Sequence, residues 1–317
     1  MKKGTIVAIV VAIVLIIVGG ILLAMGLSFA GSATPESTLT QQETMIQESF
    51  ENIQIDTQDC DVTFVPYNGT ADTQVLILER ENVHHDVWVE DNTLKIKMVD
   101  ERDWTDHIGV FGIIEENPEI TLYLPLKAYK SVHVTTETGD MNLPQLMSEE
   151  TLLRSDTGEI RCESAACETL DCMTDTGDIL VTCVEVSEIR LTATTGSVTL
   201  TDGEAEDIYL KNTTGEIELE SVVCRRLTCE SETGDVELEW VQAEEYLQVF
   251  TTTGGVGIVD SDAGKVNIET DTGDVSGYFR TPKWFTANSN TGNVQVPEGR
   301  GGGECRIESN TGDICIR

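Results

Sequence analysis

Residues 174–200 read TDTGDILVTCVEVSEIRLTATTGSVTL, and they contain two Thr-Gly dipeptides nineteen residues apart. The same dipeptide occurs ten times, and its glycines are spaced by 19 or 20 residues, at Gly139, Gly158, Gly177, Gly196, Gly215, Gly234, Gly254, Gly273, Gly292 and Gly312. A fixed period near twenty residues is typical of a solenoid, whose repeats bury their apolar faces by stacking on one another. The sequence therefore predicts a stack of about ten coils.

Apolar and polar residues alternate on both sides of each of these glycines, which we call the turn glycines. Around Gly196 the apolar positions are Ile189, Leu191, Val198 and Leu200. This period of two predicts short, half-buried β-strands, and equivalent strands of successive repeats would stack in parallel. A helix does not fit, because residues two apart lie on different helix faces and a glycine in every repeat would cost about 1 kcal/mol relative to alanine.

The Thr-Gly dipeptide itself has a structural interpretation. We expect the turn glycine to adopt a positive φ that allows the coil to bend sharply. We expect the preceding threonines to form a stacked ladder of hydroxyl groups at that corner. A catalytic residue would have no reason to recur ten times.

The amino-terminal part predicts a membrane anchor. Residues 1–4 include Lys2 and Lys3 and would form a short cytoplasmic end, followed by an uncharged, apolar transmembrane helix at 5–30. About 20 apolar residues suffice to cross a bilayer, and the two lysines place the preceding end in the cytoplasm. We therefore expect a single-pass protein of the cell membrane with an extracellular carboxyl-terminal domain. An uncleaved signal-anchor is favoured over a cleavable signal peptide, for which Ser28-Phe29-Ala30 could serve as the cleavage site. Residues 31–47 would be a polar tether.

The remainder divides into irregular coils that cap the solenoid at 48–131 and regular repeats at 132–317. Residues 53–64 overlay on 132–143, with Cys60 at the place of the turn glycine, and thus predict a degenerate first coil. A hairpin is expected from Val87 to Met98, turning at Asp91 and Asn92. The chain stops after 313–317, so the sequence predicts that Ile314 and Ile316 lie at an uncovered end. Either Arg317, the terminal carboxylate and the glycine loop at 301–303 cover this edge, or the edge pairs with a partner or a second copy, as in end-to-end self-association.

A known family shares this combination of features. The run ITLYLP at 120–125, followed by Val132-His133-Val134 and the ladder of T-G-D and T-G-E turns, resembles the bacterial "putative adhesin" family of β-strand-repeat domains of unknown function. The resemblance covers residues 45–317. It implies a right-handed parallel β-helix at the cell envelope, and it supplies no catalytic residue and no ligand.

The composition is strongly acidic, with a formal net charge of −36. Nucleic acid is therefore not expected as a partner, because phosphate binding relies on Lys and Arg. Seven acids share the position after a turn glycine, about 5 Å apart along the stack. Carboxylates so placed predict either a solvated acidic edge or a column that binds Ca²⁺. These acids are Asp140, Glu159, Asp178, Glu216, Asp235, Asp274 and Asp313.

The nine cysteines allow two interpretations. Their positions in apolar columns favour small buried thiols, whereas the equal spacing of Cys167 to Cys172 and Cys224 to Cys229 would also suit two disulfides. A metal site is less favoured, because none of the four histidines shares a coil register with the cysteines.

No catalytic signature is present: the sequence has no nucleophile–base–orienter pattern, no phosphate-binding glycine loop and no zinc motif. We therefore expect an adhesin-like module and not an enzyme. The alternative is a polysaccharide lyase or hydrolase that uses paired carboxylates, although nearly constant spacing leaves no insertion to wall a groove. A patch near the carboxyl terminus could bind a cell-surface protein or glycan, and its residues are Tyr278, Phe279, Arg280, Lys283 and Trp284.

Overall fold

The computed structural model describes residues 39–69, 72–80, 83–100, 117–299 and 301–317, which contain strands and turns and no helix. None of these residues forms a helix that could span a membrane. The predicted transmembrane run at 5–30 lies outside the described residues. All 24 strands belong to one sheet that winds through about ten turns of a solenoid. The predicted all-β solenoid is confirmed.

Seven strands precede the regular repeats. They are β1 (Thr40–Ile46), β2 (Asn52–Asp56), β3 (Asp61–Tyr67), β4 (Thr73–Glu79), β5 (Val83–Glu90), β6 (Thr93–Asp100) and β7 (Glu119–Pro125). Strand β1 falls inside the segment that the sequence assigns to a polar tether. The hairpin of β5 and β6 turns at Asp91 and Asn92, as predicted, and both residues have a positive φ.

The regular repeats contain twelve strands. They are β8 (Tyr129–Thr138), β9 (Met141–Pro144), β10 (Met147–Thr157), β11 (Ile160–Glu163), β12 (Ala166–Thr176), β13 (Ile179–Thr195), β14 (Val198–Thr214), β15 (Ile217–Glu220), β16 (Val223–Thr233), β17 (Val236–Glu239), β18 (Gln242–Thr253) and β19 (Val256–Thr272). Five strands follow: β20 (Val275–Phe279), β21 (Trp284–Thr291), β22 (Val294–Gln295), β23 (Glu304–Thr311) and β24 (Ile314–Ile316).

Each regular coil turns at two sharp corners. The first is the Thr-Gly turn, and the second lies six residues further on, at a residue that is not glycine but has a φ between 46° and 57°. Few non-glycine residues adopt this left-handed conformation, so its recurrence in seven coils fixes the path of the chain. These residues are Gln145, Ser164, Cys183, Asp202, Ser221, Trp240 and Asp260.

The turn glycines stack directly on one another. Eight of the ten have φ values between 136° and 158°, which confirms the predicted positive φ. A Cβ atom on Gly196 would lie less than 3.0 Å from the carbonyl oxygen of Gly177, and the same holds from coil to coil along the stack. The neighbouring backbone therefore occupies the space that a side chain would need.

The hydroxyl ladder lies elsewhere than predicted. The threonines before the turn glycines are exposed, whereas a buried column of mostly Ser and Thr lies three residues before each glycine. Thr174, for example, donates a hydrogen bond to the carbonyl oxygen of Gly158 at 3.2 Å. Ala193 and Asn212 interrupt the column. The Asn212 amide is fully buried and has no hydrogen-bond partner in the described part of the chain.

The amino-terminal end is not stacked in chain order. The degenerate coil pairs as predicted, with Ile53 opposite Val132, and Cys60 stands in the turn-glycine column beneath Gly139. Strands β6 and β7 come later in the chain, yet they lie on the outer side of β2 and β3. The outermost strands at this end are antiparallel: β1 pairs with β4, and β5 pairs with β6.

The carboxyl-terminal end shows the same inversion. Strand β23 lies between β19 and β21, and β24 lies between β20 and β22. The last segment of the chain is therefore an inner coil, and Ile314 and Ile316 are buried. The prediction that these two residues form the uncovered end is wrong, because β21 and β22 form the terminal coil instead.

The stacking of the turn glycines leads to a first prediction. Gly196→Ala should lower the free energy of unfolding by about 3 kcal/mol or more, because it adds backbone strain and a clash with a rigid carbonyl group. Gly255→Ala is the control, since a Cβ there would meet its nearest atom at 3.2 Å. Denaturant unfolding followed by circular dichroism measures both changes. Equal effects of the two substitutions would contradict this account of the turn.

Candidate functional site

The coil becomes irregular at the carboxyl-terminal end of the solenoid. The left-handed corner is absent after Gly273; instead, Gly277 has a φ of 133° and packs against the backbone of Ile258. The register between β19 and β20 shifts at this place. Residues 280–283 lie between β20 and β21, and the described residues 296–299 and 301–303 lie between β22 and β23. Two irregular connections thus meet at one corner of the terminal coil.

These connections border an open cleft with a volume of about 370 Å³. Its lining is mixed: apolar rings and side chains lie beside several charged groups. The apolar lining residues are Phe279, Pro282, Phe285, Pro297 and Ile316, and the charged ones are Arg280, Lys283, Glu298 and Arg317. The ring centroids of Phe279 and Phe285 are 6.1 Å apart. The volume lies in the range of small-ligand sites.

Lys283 anchors the wall of the cleft. Its side chain is only 2% exposed, and its Nζ donates to the carbonyl oxygen of Ala263 at 2.6 Å and pairs with the carboxylate of Asp262. The same ammonium lies 6.0 Å from the centre of the Phe279 ring. A buried lysine needs such partners, because an unpaired charge would be costly. Lys283 therefore holds the 280–283 connection onto the preceding coil.

Arg280 is more accessible than Lys283. Its guanidinium donates to the carbonyl oxygen of Asp260 at 3.0 Å and lies 3.5 Å from the carboxylate of the same residue. The side chain is nevertheless exposed and borders the cleft. Arg280 can therefore turn part of its guanidinium toward an anionic or polar ligand while its backbone contact fixes its position.

The patch predicted from the sequence is divided by the structure. Phe279, Arg280 and Lys283 line the cleft, whereas Tyr278 and Trp284 point away from the core and are exposed on the outer surface next to it. Sequence reasoning did not include Pro297, Glu298 and Arg317, which complete the lining. They come from two segments that only the inverted order of the last coils brings to the same corner.

The acidic column after the turn glycines makes a ladder of hydrogen bonds to the backbone. In six steps an Asp carboxylate accepts a hydrogen bond from the backbone N–H of the equivalent residue in the next coil; Asp178, for example, accepts from Ser197 at 2.8 Å. The other acceptors, between 2.6 and 2.9 Å, are Asp61, Asp140, Asp235, Asp274 and Asp313. The ladder explains the preference for aspartate, since its short side chain reaches the next coil.

This ladder bears on the predicted binding of Ca²⁺. Each aspartate of the ladder already uses one carboxylate oxygen to accept a backbone N–H. Within the described ranges, no three His, Cys, Asp or Glu side chains are grouped so that they could hold a metal ion. Calcium binding by the column stays a prediction, and it would have to involve the second oxygens.

A buried polar group lies at the opposite end of the solenoid. His85 Nδ1 is 3.0 Å from a carboxylate oxygen of Glu79, and its Nε2 is 3.0 Å from Thr57 Oγ1 and 3.6 Å from Cys60 Sγ. No pattern in the sequence indicates this group. It forms because His85 in β5 contacts Thr57 and Cys60 of the degenerate coil, and Glu79 in β4 contacts His85.

The environment of Cys60 does not favour reactivity. Burial raises the pKa of its thiol to about 12, so that the thiol is protonated at neutral pH. The Cys60 side chain is fully buried, and so is nearly all of the His85 ring. We interpret the group as a polar network that replaces the turn glycine at the first coil. The one available signal in the sequence was Cys60 itself, a side chain in a column of glycines.

The other cysteines are free thiols in this structure. Burial raises the pKa of Cys162 and Cys224 to about 12 and that of Cys167 to about 11. The structure therefore agrees with the interpretation of these cysteines as free thiols and not with the two disulfides that the spacing would also suit.

A repetitive all-β solenoid with a cleft at one end defines the class of this protein. Residues 50–317 match the family described as Toastrack DUF4097, so the chain belongs to that family and the predicted resemblance is confirmed. No curated protein matches the sequence.

Several solved structures are similar to this chain. One is a "putative adhesin" from Bacteroides fragilis NCTC 9343, with 14% identity and a TM-score of 0.46 over 90% of this chain and 100% of the other. A "putative lipid binding protein" from Parabacteroides distasonis ATCC 8503 has 14% identity and a TM-score of 0.46, over 88% and 97%. A "putative adhesin" from the same strain has 13% identity and a TM-score of 0.45, over 86% and 98%.

The acidic ladder leads to a second prediction. Asp178→Ala should lower the free energy of unfolding by about 1 kcal/mol, because the N–H of Ser197 loses its acceptor. Asp178→Asn should cost less, since an amide oxygen can still accept that bond. Glu188→Ala, which removes an exposed acid of the same coil, is the control for charge.

Thermal unfolding with Ca²⁺ and with a chelator adds the second readout. A rise in melting temperature that needs Ca²⁺, and that Asp178→Asn reduces, would show that the column also binds the ion. If Asp178→Ala and Glu188→Ala had the same effect, the hydrogen-bond ladder would have no special role in stability.

Proposed function

We propose that this protein is a membrane-anchored, extracellular, adhesin-like module of the bacterial cell envelope. The apolar run at 5–30 and the preceding lysines support the anchor and its orientation. The strong negative charge supports a hydrated position outside the cell. The module would bind a cell-surface protein or glycan through the carboxyl-terminal end of the coil stack.

The cleft is the observation that carries this proposal. Binding sites are concave and combine apolar walls with a few polar groups that fix orientation. The walls of the cleft contain the Phe279 and Phe285 rings, tilted by 43° to one another, and its charged lining combines Arg280, Lys283 and Arg317 with Glu298. The strands of the regular coils continue in register from one coil to the next, with shifts of a single residue, whereas the cleft lies where this regularity ends. The end of the stack is therefore the place for a ligand.

Catalysis on a polysaccharide is the alternative from the sequence, and the residues of the cleft do not favour it. Glycoside hydrolysis uses two carboxyl groups on opposite sides of the scissile bond. Among the described residues that line the cleft, Glu298 supplies the one carboxylate side chain. The other arrangement with catalytic residue types, Cys60 with His85 and Glu79, is buried. Binding is therefore the better supported role.

Topology provides the third prediction. Protease added to intact cells should digest the repeats, because the charge asymmetry around 5–30 predicts an extracellular location for them. An epitope at the amino terminus should stay protected unless the membrane is permeabilised. Immunoblotting against both ends gives the answer, and repeats that resist digestion in intact cells but not in lysed cells would overturn the proposed location.

Ligand binding provides the fourth prediction. Trp284 and Trp240 are exposed to a similar extent, 57% and 43%, but only Trp284 lies beside the cleft. On a glycan array and on defined cell-wall preparations, Trp284→Ala should weaken binding by the full chain about tenfold, while Trp240→Ala should leave it unchanged. Binding that responds equally to both substitutions would place the ligand elsewhere, and release of shortened polysaccharide would favour the enzyme.

A further inference from the structure

The terminal coil has an unused edge. Strand β21 pairs on one side with β23, and β22 pairs on one side with β24. In the part of the chain that the structure describes, no strand pairs with the other side of either one. An edge with free backbone N–H and C=O groups is a template for another strand, unless charges, bulges or a cover protect it.

The core is also open at this end. Val294 in β22 is 42% exposed, whereas Ile314 at the same position of the adjacent coil is 1% exposed. Phe285 and Ala287 point toward the core and are partly exposed as well. In every regular coil the equivalent positions are covered by the next coil. The apolar side chains of the terminal coil are therefore left uncovered on its outer side.

The charge pattern distinguishes the two ends. Residues 284–297, which contain β21 and β22, carry no charged side chain in a chain with a net charge of −36. At the other end the outermost strands do carry charges, with Glu43 in β1 and Asp86 and Glu90 in β5. Charged edge strands prevent edge-to-edge pairing. One end is therefore protected and the other is not.

A ladder of side-chain amides reaches the same edge. Asn310 donates to Asp271 at 2.7 Å, and Asn290 of the terminal coil donates to Asn310 at 2.8 Å. Each step of this ladder is made by the following coil. Asn290 is the last member, and its exposed amide oxygen is available to a donor beyond the stack.

We propose that the occupant of this surface is a second copy of the chain, bound tip to tip. The two β21 strands would pair in antiparallel fashion about a two-fold axis, so that one continuous sheet runs through both solenoids. Such a contact uses the same surface of both copies and closes as a dimer, without growth into a fibre. The neutral edge and the open core then both gain a partner.

The charges favour a second copy over an unlike partner. A positively charged partner would be drawn to the acidic coils, and it would gain nothing from the uncharged tip. Two copies of this chain repel one another wherever their acidic coils meet, and the tip is the one end where that repulsion is smallest. Added salt screens the remaining repulsion. The dimer should therefore become stronger, and not weaker, as the salt concentration rises.

This inference names a partner for the end of the stack, and it rests on the proposed function in one respect. Strand β1, which follows the predicted anchor, lies at the opposite end of the coil stack from β21. If 5–30 anchors the chain, a tip-to-tip dimer joins two membranes. A single contact would be weak, but many copies on two facing membranes would hold together through avidity.

Vesicle tethering tests the inference with the full chain. Two vesicle populations with different dyes, both carrying the protein, should cluster together, as measured by fluorescence cross-correlation. Dimerisation of anchors within one membrane cannot produce this signal. Val294→Lys and Asn288→Asp, which place charges on the tip, should each reduce tethering at least tenfold. Val223→Lys is the matched control, because Val223 is 49% exposed on the side of the solenoid.

Sedimentation of the detergent-solubilised full chain gives the dimer constant, and melting temperatures show that each variant is folded. Absence of tethering and of salt-strengthened dimers would overturn the inference, as would dimers that both tip substitutions leave intact. Glycan or protein binding by a strictly monomeric chain would overturn it while the proposed function stands. A chain that dimerises through its tip but does not float with vesicles would support the inference and contradict the anchor.

Discussion

The structure depends on one constraint, the direct stacking of equivalent backbone atoms in successive coils. Parallel strands about 4.8 Å apart leave no room for a side chain where one turn sits on the next. The carbonyl oxygen of each turn glycine occupies that space for the glycine that follows it. Three features preserve this stacking. They are the period of 19 or 20 residues, the hydroxyl groups that donate hydrogen bonds to the glycine carbonyls, and the aspartates that accept the backbone N–H of the next coil.

Polar side chains close to the turn are therefore already engaged in hydrogen bonds with the backbone. Thr174 and its equivalents satisfy buried carbonyl oxygens, and Asp178 and its equivalents satisfy exposed N–H groups. Seven acids in a column look like a cation site in the sequence, because the sequence does not show which oxygens are already engaged. The same reasoning applies to Cys60, where a thiol, an imidazole and a carboxylate meet in the order of a catalytic triad but lie inside the core.

In this solenoid of repeated units, the irregular structural features lie at the two ends. At the amino-terminal end, antiparallel strands with charged residues cover the stack and interrupt the pairing. At the carboxyl-terminal end, the insertion of β23 and β24 between earlier coils displaces β21 and β22 outward and creates the irregular connections around the cleft. The cleft and the uncharged edge thus have the same structural origin, and both lie at the carboxyl-terminal end of the coil stack.

The sequence by itself determined the repeat, the inward-facing columns of apolar residues and the degenerate first coil. Stacking imposes the same local requirement on each coil, and this requirement appears in the sequence as a regular period. The sequence did not determine the order of the coils at the two ends. A strand such as β23 can form the same backbone hydrogen bonds beside β19 as it would form at the end of the stack. Nor could the sequence show that His85 reaches Cys60 or that Arg317 joins Arg280 at the cleft. Those contacts follow from pairings between segments distant in sequence, and only the tertiary structure selects among pairings that are locally equivalent.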